Sequence, residues 1–152
     1  CLGFEMEVYV HDPFISNEVI NSKNCRAINL KDGFKSADYI SIHLPINKET
    51  ENMISYDEFK LFKKNLVLIN TARGGIVNEN ALYDALVNKN IYSAGLDVYK
   101  QEPPEKDSRL FNLKNILLTP HNSALTIECR KRMSLESSQN IFYYLNNKHL
   151  HS

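Results

Sequence analysis

The feature that most constrains the fold is a series of short apolar segments separated by segments with helical periodicity. The segment LVLINTA, residues 66–72, is apolar without alternation, which is typical of a strand buried on both faces. Five other segments are similar in length and rich in apolar residues: MEVYVHD, CRAINL, YISIHLP, IYSAGLDV and NILLTP. Strands of this kind alternating with helices predict an α/β fold, in which helices cover both faces of one parallel sheet.

Helix signals lie between these apolar segments. Ser55 and Glu58 have the spacing of a capping box at the start of SYDEFKLFKKN, where two phenylalanines share one helical face. A second helix is predicted to begin at Asn78 or Glu79 and to bury the leucines of NALYDALVNKN. A short helix is also predicted in LKDGFKSAD. We expect a final helix over about 126–147, amphipathic in its second half through Leu135, Ile141, Phe142 and Leu145.

Composition excludes several classes of protein. The 18 basic and 18 acidic side chains give a formal net charge of zero, so the chain carries no electrostatic footprint for nucleic acid or an anionic membrane. No apolar run reaches the ~18–20 residues that span a bilayer. Histidines, cysteines and carboxylates show no metal-ligand spacing, so no metal site is predicted. The three widely spaced cysteines indicate reduced thiols, as in a cytoplasmic protein.

Polar residues recur where the predicted strands end. In an open parallel sheet, ligands bind outside the carboxyl ends of the strands. The residues at these ends are Asp12, His43-Leu44-Pro45, Thr71-Ala72-Arg73, Asp97 and Pro120-His121. A functional site is therefore predicted along one edge of the sheet.

Each candidate has two interpretations. Asp12 either accepts hydrogen bonds from the ribose hydroxyls of NAD or caps a turn. Arg73 is either a planar fork of donors for a carboxylate or carbonyl oxygen, or a surface arginine in a turn. His121 is either a proton donor and acceptor, oriented by Glu102, or a capping residue after Pro120.

Three segments carry a family resemblance when they are taken together. VLINTARGGIVNENALYDAL, SAGLDVYKQEPP and NILLTPHNSALT occur in this order, and VYVHDP and ADYISIHLPINKET lie upstream. In these motifs the chain closely resembles the D-isomer-specific 2-hydroxyacid dehydrogenases, a family that includes D-3-phosphoglycerate, glycerate, D-lactate and formate dehydrogenases. The resemblance runs from about residue 3 to about residue 148. It implies a Rossmann-like, doubly wound parallel sheet that binds NAD.

The resemblance also implies roles for individual residues. Arg73 would bind the carboxylate and keto oxygen of the substrate, His121 would exchange a proton with the C2 oxygen, and Glu102 would orient His121. The cofactor-binding residues that it implies are Asp12, Pro13, His43, Leu44, Pro45, Thr50, Thr71, Ala72, Arg73, Asp97, His121, Ser123 and Ala124. Among these, Asp97 would lie near the nicotinamide amide. Ser123 stands where many members carry a glycine.

The implied function is hydride transfer between NAD(H) and a D-2-hydroxy acid or its 2-keto acid, with D-3-phosphoglycerate or glycerate/hydroxypyruvate as substrates. A homodimer is implied as well. Two alternatives remain: an NAD-sensing scaffold like the transcriptional corepressors that share this fold, and a truncated chain without catalysis. The scaffold would function as a binding surface whose assembly NAD promotes. The coding region upstream of Cys1, read for a G-x-G-x-x-G motif and a preceding domain, would identify a truncated chain.

The family's Gly-rich phosphate loop and the strand before it are absent from the sequence. We therefore expect a sheet truncated at its N-terminal strand, with residues 1–125 forming most of the NAD-binding domain. Residues 126–152 are expected to form a helix that returns to a substrate domain missing from this chain. Without the Gly-rich loop, the pyrophosphate has no helix N-terminus to bind, so the 152-residue chain alone is predicted to bind NAD poorly and to be inactive.

Overall fold

The computed structural model describes residues 1–146. Its strands are β1 (Tyr9–Val10), β2 (Arg26–Ala27), β3 (Tyr39–Ile42), β4 (Val67–Asn70), β5 (Ser93–Leu96) and β6 (Ile116–Leu118). Its α-helices are α1 (Asn17–Asn21), α2 (Leu30–Ser36), α3 (Tyr56–Phe59), α4 (Glu79–Val87) and α5 (Ile127–Leu145). Two 3-10 helices, Leu2–Phe4 and Arg109–Asn112, complete the described elements. All six predicted strands are present, although each is shorter than its apolar segment.

The strands are all parallel, as expected for a Rossmann-like sheet, but they form two sheets instead of one. β3, β4, β5 and β6 lie side by side in chain order, with Ile42 opposite Asn70 and Asn70 opposite Leu96. β1 pairs only with β2, and its backbone hydrogen bonds are made to that strand. The expected Rossmann-like parallel sheet is confirmed, although over residues 1–146 it is divided in two, since no hydrogen-bonded ladder joins β1 to β3 there.

The core lies on one face of the four-stranded sheet. Alternate residues of β3–β5 face it, and Leu68 at its centre is fully buried. α4 contributes Leu82 and Leu86, while Phe62 packs edge-on against Phe34 of α2 and Phe59 of α3. These contacts place the apolar residues predicted for α3 and α4 in the core.

The opposite face of this sheet is open over the described residues, which corrects the expectation of helices on both faces. Tyr39 of β3 is 58% exposed and Leu117 of β6 is 69% exposed. A Cβ atom added to Gly95 of β5, between them in the sheet, would meet no atom within 4 Å. The strands are apolar on both sides, but residues 1–146 supply helices for only one.

The helix starts follow the capping signals. The capping box of Ser55 and Glu58 is present at α3, with the Ser55 N–H donating to Glu58 Oε2 at 2.9 Å. Asn78 caps α4 by accepting from the Ala81 N–H, and Thr126 caps α5 by accepting from the Cys129 N–H. Helix α1, which follows Ser16, was not predicted, because five residues are too few to show a helical period.

Helix α5 projects its apolar side chains into solvent. Leu135, Ile141, Phe142 and Leu145 are each more than half exposed, and the helix has no buried residue. The amphipathic pattern is therefore present without a covering surface in the described residues. The predicted end of this helix at Asn147 lies outside them. Among the helices of residues 1–146, none is both long and apolar enough to cross a bilayer.

Candidate active site at the carboxyl edge of the sheet

The order of β3–β6 brings four of the predicted strand ends to one edge. Because the strands are parallel and adjacent, the segments after Ile42, Asn70, Leu96 and Leu118 follow one another along that edge. Backbone hydrogen bonds tie them together: the Asp97 N–H donates to the Asn70 carbonyl oxygen, and the Thr119 N–H to that of Leu96, both at 3.0 Å. The end of β1, which carries Asp12, belongs to the separate two-stranded sheet.

The turn after β4 carries an exposed arginine, Arg73, and its backbone is held by a buried asparagine. Asn70 is 2% exposed; its Nδ2 donates to the Arg73 carbonyl oxygen at 2.9 Å, and its Oδ1 accepts from the Ala72 N–H at 3.1 Å. The guanidinium of Arg73 is exposed and donates to the Ala72 carbonyl oxygen at 2.6 Å. Within residues 1–146 it forms no salt bridge with a carboxylate, so its charge is available to an anionic ligand.

Gly74 packs this turn directly against the peptide that joins Tyr99 to Lys100. A Cβ atom at Gly74 would overlap the carbonyl group of Tyr99 and would lie 2.7 Å from the Lys100 nitrogen. The same peptide segment is held from two other sides: Glu102 Oε1 accepts from the Tyr99 N–H at 3.0 Å, and Glu79 Oε1 accepts from the Lys100 N–H at 2.6 Å. The arginine turn and the loop carrying Glu102 are thus fixed to each other.

Glu102 and His121 form the hydrogen-bonded pair of the site. Nδ1 of His121 lies 2.7 Å from Glu102 Oε2, so the imidazole donates from Nδ1 and keeps Nε2 for another partner. The hydrogen bond from His121, reinforced by the Tyr99 N–H, holds the pKa of Glu102 below its usual value. Both side chains remain accessible, with 50% of His121 and 37% of Glu102 exposed. A paired imidazole with one free nitrogen can move a proton to or from a ligand.

Asp97 lies beneath this pair and is almost completely buried. Its Oδ1 accepts from Thr119 Oγ1 at 2.6 Å and from the Asn122 N–H at 2.9 Å, while its Oδ2 accepts from the Ser123 N–H at 2.9 Å. Burial alone would raise the pKa of Asp97, but these hydrogen bonds hold it well below its usual range. The site therefore contains a buried carboxylate that stays ionised.

Asp12 lies in a cleft formed by the ends of β1 and β2 and by α1. The cleft has a volume of about 550 Å³ and is lined by Asp12, His11 and Pro13 together with residues of β2 and α1. Asp12 Oδ1 accepts from the Phe14 N–H at 2.8 Å, so the turn-capping interpretation is correct for one oxygen. The cleft falls within the usual size of small-molecule sites and has a carboxylate in its lining, which fits a nucleoside with ribose hydroxyls.

The loop after β3 is organised by its own side chains. His43 Nε2 lies 2.8 Å from Ser41 Oγ, and Thr50 Oγ1 donates to the Pro45 carbonyl oxygen at 2.7 Å. Leu44 packs against the core. Thr50 therefore shapes the turn that follows Pro45.

The other predicted cofactor residues lie along the same edge. Thr71 and Ala124 are exposed and Ala72 is half-buried, whereas the Ser123 N–H is already bonded to Asp97. Sequence reasoning missed Asn70, Glu79, Tyr99 and Thr119. Only Asn70 carried a visible signal, an amide at the end of an otherwise apolar strand.

Comparisons with known proteins identify relatives along almost the whole chain. It is 36% identical over 141 residues to D-3-phosphoglycerate dehydrogenase of Archaeoglobus fulgidus, covering 93% of this chain and 27% of that protein. It is 35% identical over 144 residues to hydroxypyruvate reductase of Thermotoga maritima, covering 93% of this chain and 46% of that protein. The chain thus spans less than half the length of these curated relatives.

A solved structure of a D-lactate dehydrogenase has the same fold. D-lactate dehydrogenase from Lactobacillus jensenii, crystallised with NAD⁺, superposes with a TM-score of 0.88 and 29% identity, over 99% of this chain and 48% of that chain. The family described as "D-isomer specific 2-hydroxyacid dehydrogenase, NAD binding domain" matches residues 1–123. This range includes the Arg73 turn, Glu102 and His121. The resemblance found in the sequence is therefore confirmed, and the chain belongs to the D-isomer specific 2-hydroxyacid dehydrogenases, matching their NAD-binding domain.

Proposed function

We propose that the protein carrying this chain is an oxidoreductase that transfers a hydride between NAD(H) and a D-2-hydroxy acid or its 2-keto acid. The observation that carries the proposal is the His121–Glu102 pair, with a Nδ1–Oε2 distance of 2.7 Å. It lies at the same sheet edge as the guanidinium of Arg73, which forms no salt bridge within residues 1–146. D-3-phosphoglycerate or glycerate/hydroxypyruvate are the substrates we propose. The similarity to a D-3-phosphoglycerate dehydrogenase and to a hydroxypyruvate reductase supports that choice.

In this proposal Arg73 binds the anionic end of the substrate. Its planar fork of N–H donors suits a carboxylate together with the adjoining keto oxygen. The Asn70 side chain bonds the Ala72 N–H and the Arg73 carbonyl oxygen, which fixes the backbone from which the Arg73 side chain extends. Positioning of this kind lowers the entropic barrier to reaction.

His121 performs the proton transfer in this proposal. In the reductive direction, protonated His121 gives a proton from Nε2 to the C2 oxygen as the C–H bond forms at C2, and in oxidation it takes that proton back. Glu102 accepts from Nδ1 and stabilises the imidazolium in both directions. NADH, when bound, supplies the hydride, and NAD⁺ accepts it in the reverse direction.

Asp12 is the residue that we propose for cofactor selection. Its second carboxylate oxygen can accept from ribose hydroxyls in the cleft, and the negative charge opposes a 2′-phosphate, which favours NAD over NADP. The remaining residues that we propose along the cofactor are Pro13, His43, Leu44, Pro45, Thr50, Thr71, Ala72, Asp97, Ser123 and Ala124.

We also keep the proposed division into a cofactor domain, residues 1–125, and a C-terminal part, residues 126–152, that packs on a substrate domain. The exposed apolar face of α5 supports that packing. A homodimer is part of the proposal, as is a cytoplasmic location; the cysteines at positions 1, 25 and 129 are unpaired thiols, which suits a reducing compartment. The 152-residue chain alone is proposed to bind NAD weakly.

The test uses the full-length protein with a panel of 2-keto acids and either NADH or NADPH, followed at the absorbance of the reduced nicotinamide. We expect turnover with NADH, and a loss of ~10²–10⁴-fold in kcat for His121→Ala with NAD affinity retained. Arg73→Ala should raise KM for the keto acid and lower kcat. Arg26→Ala is the matched control, because Arg26 is an exposed arginine at the start of β2.

Two outcomes would refute the proposal. One is the absence of turnover with every keto acid, which would favour the scaffold or the non-catalytic alternative. The other is unchanged turnover in the His121 variant, under conditions where chemistry limits the rate.

A further inference from the structure

Asp97 is a buried ionised group that the proton-transfer steps above do not use. It is 2% exposed, and all three of its hydrogen-bond donors come from the segment 119–123, which carries His121. Two of those donors are the backbone N–H groups of Asn122 and Ser123, the two residues directly after the imidazole. The carboxylate thus binds the turn on both sides of His121.

The turn needs such support because of its backbone conformation. His121 has a φ of 52°, in the left-handed region that is unfavourable for a residue with a side chain. In this conformation the N–H groups of Asn122 and Ser123 point inward, where a carboxylate is the only described acceptor for them. Without it, these two part-buried N–H groups would lose their acceptor in the protein.

A second contact fixes the start of the same segment. The Tyr99 hydroxyl donates to the Thr119 carbonyl oxygen at 2.9 Å, and the Tyr99 side chain is buried. Tyr99 also donates its N–H to Glu102, the partner of His121. Asp97 and Tyr99, two residues apart after β5, therefore hold both members of the Glu102–His121 pair.

We propose that Asp97 is a positioning residue that holds the turn carrying His121, so that the imidazole stays against Glu102. The proposal rests on the proposed function for the role of His121 in proton transfer. Asp97 acts through the Asn122 and Ser123 backbone and contacts neither the imidazole nor, in this role, the substrate.

The Asp97→Asn variant separates positioning from a simple charge effect by the sign of one measurement. We call the three hydrogen bonds that Asp97 accepts from Thr119, Asn122 and Ser123 the clamp. The side-chain amide of asparagine has one acceptor oxygen, and its NH₂ group would face the Ser123 N–H, so the bond from Ser123 is lost. If Asp97 positions His121, the imidazole moves away in this variant and Glu102 loses the hydrogen bond from His121. The Glu102 pKa then rises toward its ordinary value of 4.5, because that bond is the main cause of its lowered pKa. If Asp97 is only a nearby negative charge, removing it lowers the Glu102 pKa instead.

The measurement is a ¹³C NMR titration of the glutamate side-chain carboxyls of the full-length protein, with the Glu102 signal assigned by Glu102→Gln. A higher Glu102 pKa in Asp97→Asn supports the proposal, and an unchanged or lower one overturns it. Asp38→Asn is the matched control: Asp38 is an exposed carboxylate paired with Lys63 before β3, and its replacement should leave Glu102 unchanged.

A second pair of variants covers the case in which Asp97→Asn does not fold. Thr119→Val removes the hydroxyl donor to Asp97, and Thr119→Ser retains it. Faster amide exchange at Asn122 and Ser123 in the valine variant, with wild-type exchange in the serine variant, supports the clamp. Equal exchange in both variants overturns it.

Turnover of the 2-keto acid is measured separately, so that the two proposals fail in different ways. An absence of wild-type turnover together with a raised Glu102 pKa in Asp97→Asn refutes the proposed function and keeps the clamp. Normal wild-type turnover with a variant that changes only its affinity for NADH, and keeps both kcat and the Glu102 pKa, refutes the positioning role, because the contact of Asp97 with the cofactor would then be its whole contribution. A kcat lowered at least tenfold together with a raised Glu102 pKa supports both proposals, and a change in NADH affinity beside it reports the separate contact of Asp97 with the cofactor.

Discussion

The replacement of Gly74 by alanine tests the close contact between the arginine turn and the Glu102 loop. The added methyl group would overlap the carbonyl carbon and oxygen of Tyr99 and would lie 2.7 Å from the Lys100 nitrogen. These neighbours are backbone atoms, so no side-chain rotation relieves the overlap. The Tyr99 and Lys100 N–H groups also donate to Glu102 and Glu79, so moving this segment lengthens the hydrogen bonds to both carboxylates.

Overpacking of this kind costs about 1–3 kcal/mol, and we expect the upper end because the colliding atoms belong to the main chain. For a protein of this size or somewhat larger, a loss of about 3 kcal/mol lowers Tm by roughly 6–12 °C. The assay is thermal unfolding followed by circular dichroism, with denaturant unfolding as a check on the free energy.

Gly33→Ala is the matched control for this experiment. Gly33 lies within α2, and an added Cβ would meet only Ile28 Cγ2 at 3.6 Å, an ordinary contact. Alanine is favoured over glycine in a helix by about 1 kcal/mol, so this variant should be more stable than the wild type. A Gly74→Ala protein with an unchanged Tm would refute the close approach of these two segments.

Two further predictions concern the core and the response to acid. Leu68→Ala should cost about 2–5 kcal/mol in urea unfolding, because Leu68 is fully buried, whereas Leu117→Ala on the open face should change stability by less than about 0.5 kcal/mol. Asp97 and Glu102 have folded-state pKa values below their ordinary 3.8 and 4.5, so their contribution to stability is complete above pH 4.5 and is lost as the pH falls below these values. Urea midpoints measured from pH 7 to pH 3 check this sign, and Glu102→Gln should weaken the dependence; a midpoint that rises on acidification would contradict it.

Local signals were sufficient to predict the six strands and the starts of α3, α4 and α5. The caps at Ser55, Asn78 and Thr126 depend on residues within one helical turn, so the sequence alone contains the whole interaction. Strand ends were equally visible, because the carboxyl edge of a parallel sheet follows from the direction of the strands. For this reason the apolar pattern alone predicts that Arg73, Asp97 and His121 lie at one edge.

Interactions between distant segments could not be predicted from the sequence in the same way. The close approach of Gly74 to Tyr99, and the hydrogen bonds that the turn after His121 donates to Asp97, join residues about 25 positions apart. Their geometry depends on how the loops after β4, β5 and β6 pack against one another. The division into two sheets was also hidden, because the segment containing β1 has the same apolar pattern whichever strand lies beside it.

The open face of the four-stranded sheet, with Tyr39 and Leu117 in solvent, has a thermodynamic consequence. The structure exposes 11233 Å² of accessible surface, whereas a compact monomer of 17.5 kDa exposes about 7,900 Å². The 152-residue chain, taken alone, therefore keeps apolar surface hydrated that most domains dehydrate on folding. Because the heat-capacity change of unfolding follows newly exposed apolar area, its value per residue is smaller here than the usual ~12–15 cal/mol/K. The stability of this chain accordingly varies with temperature along a flatter curve.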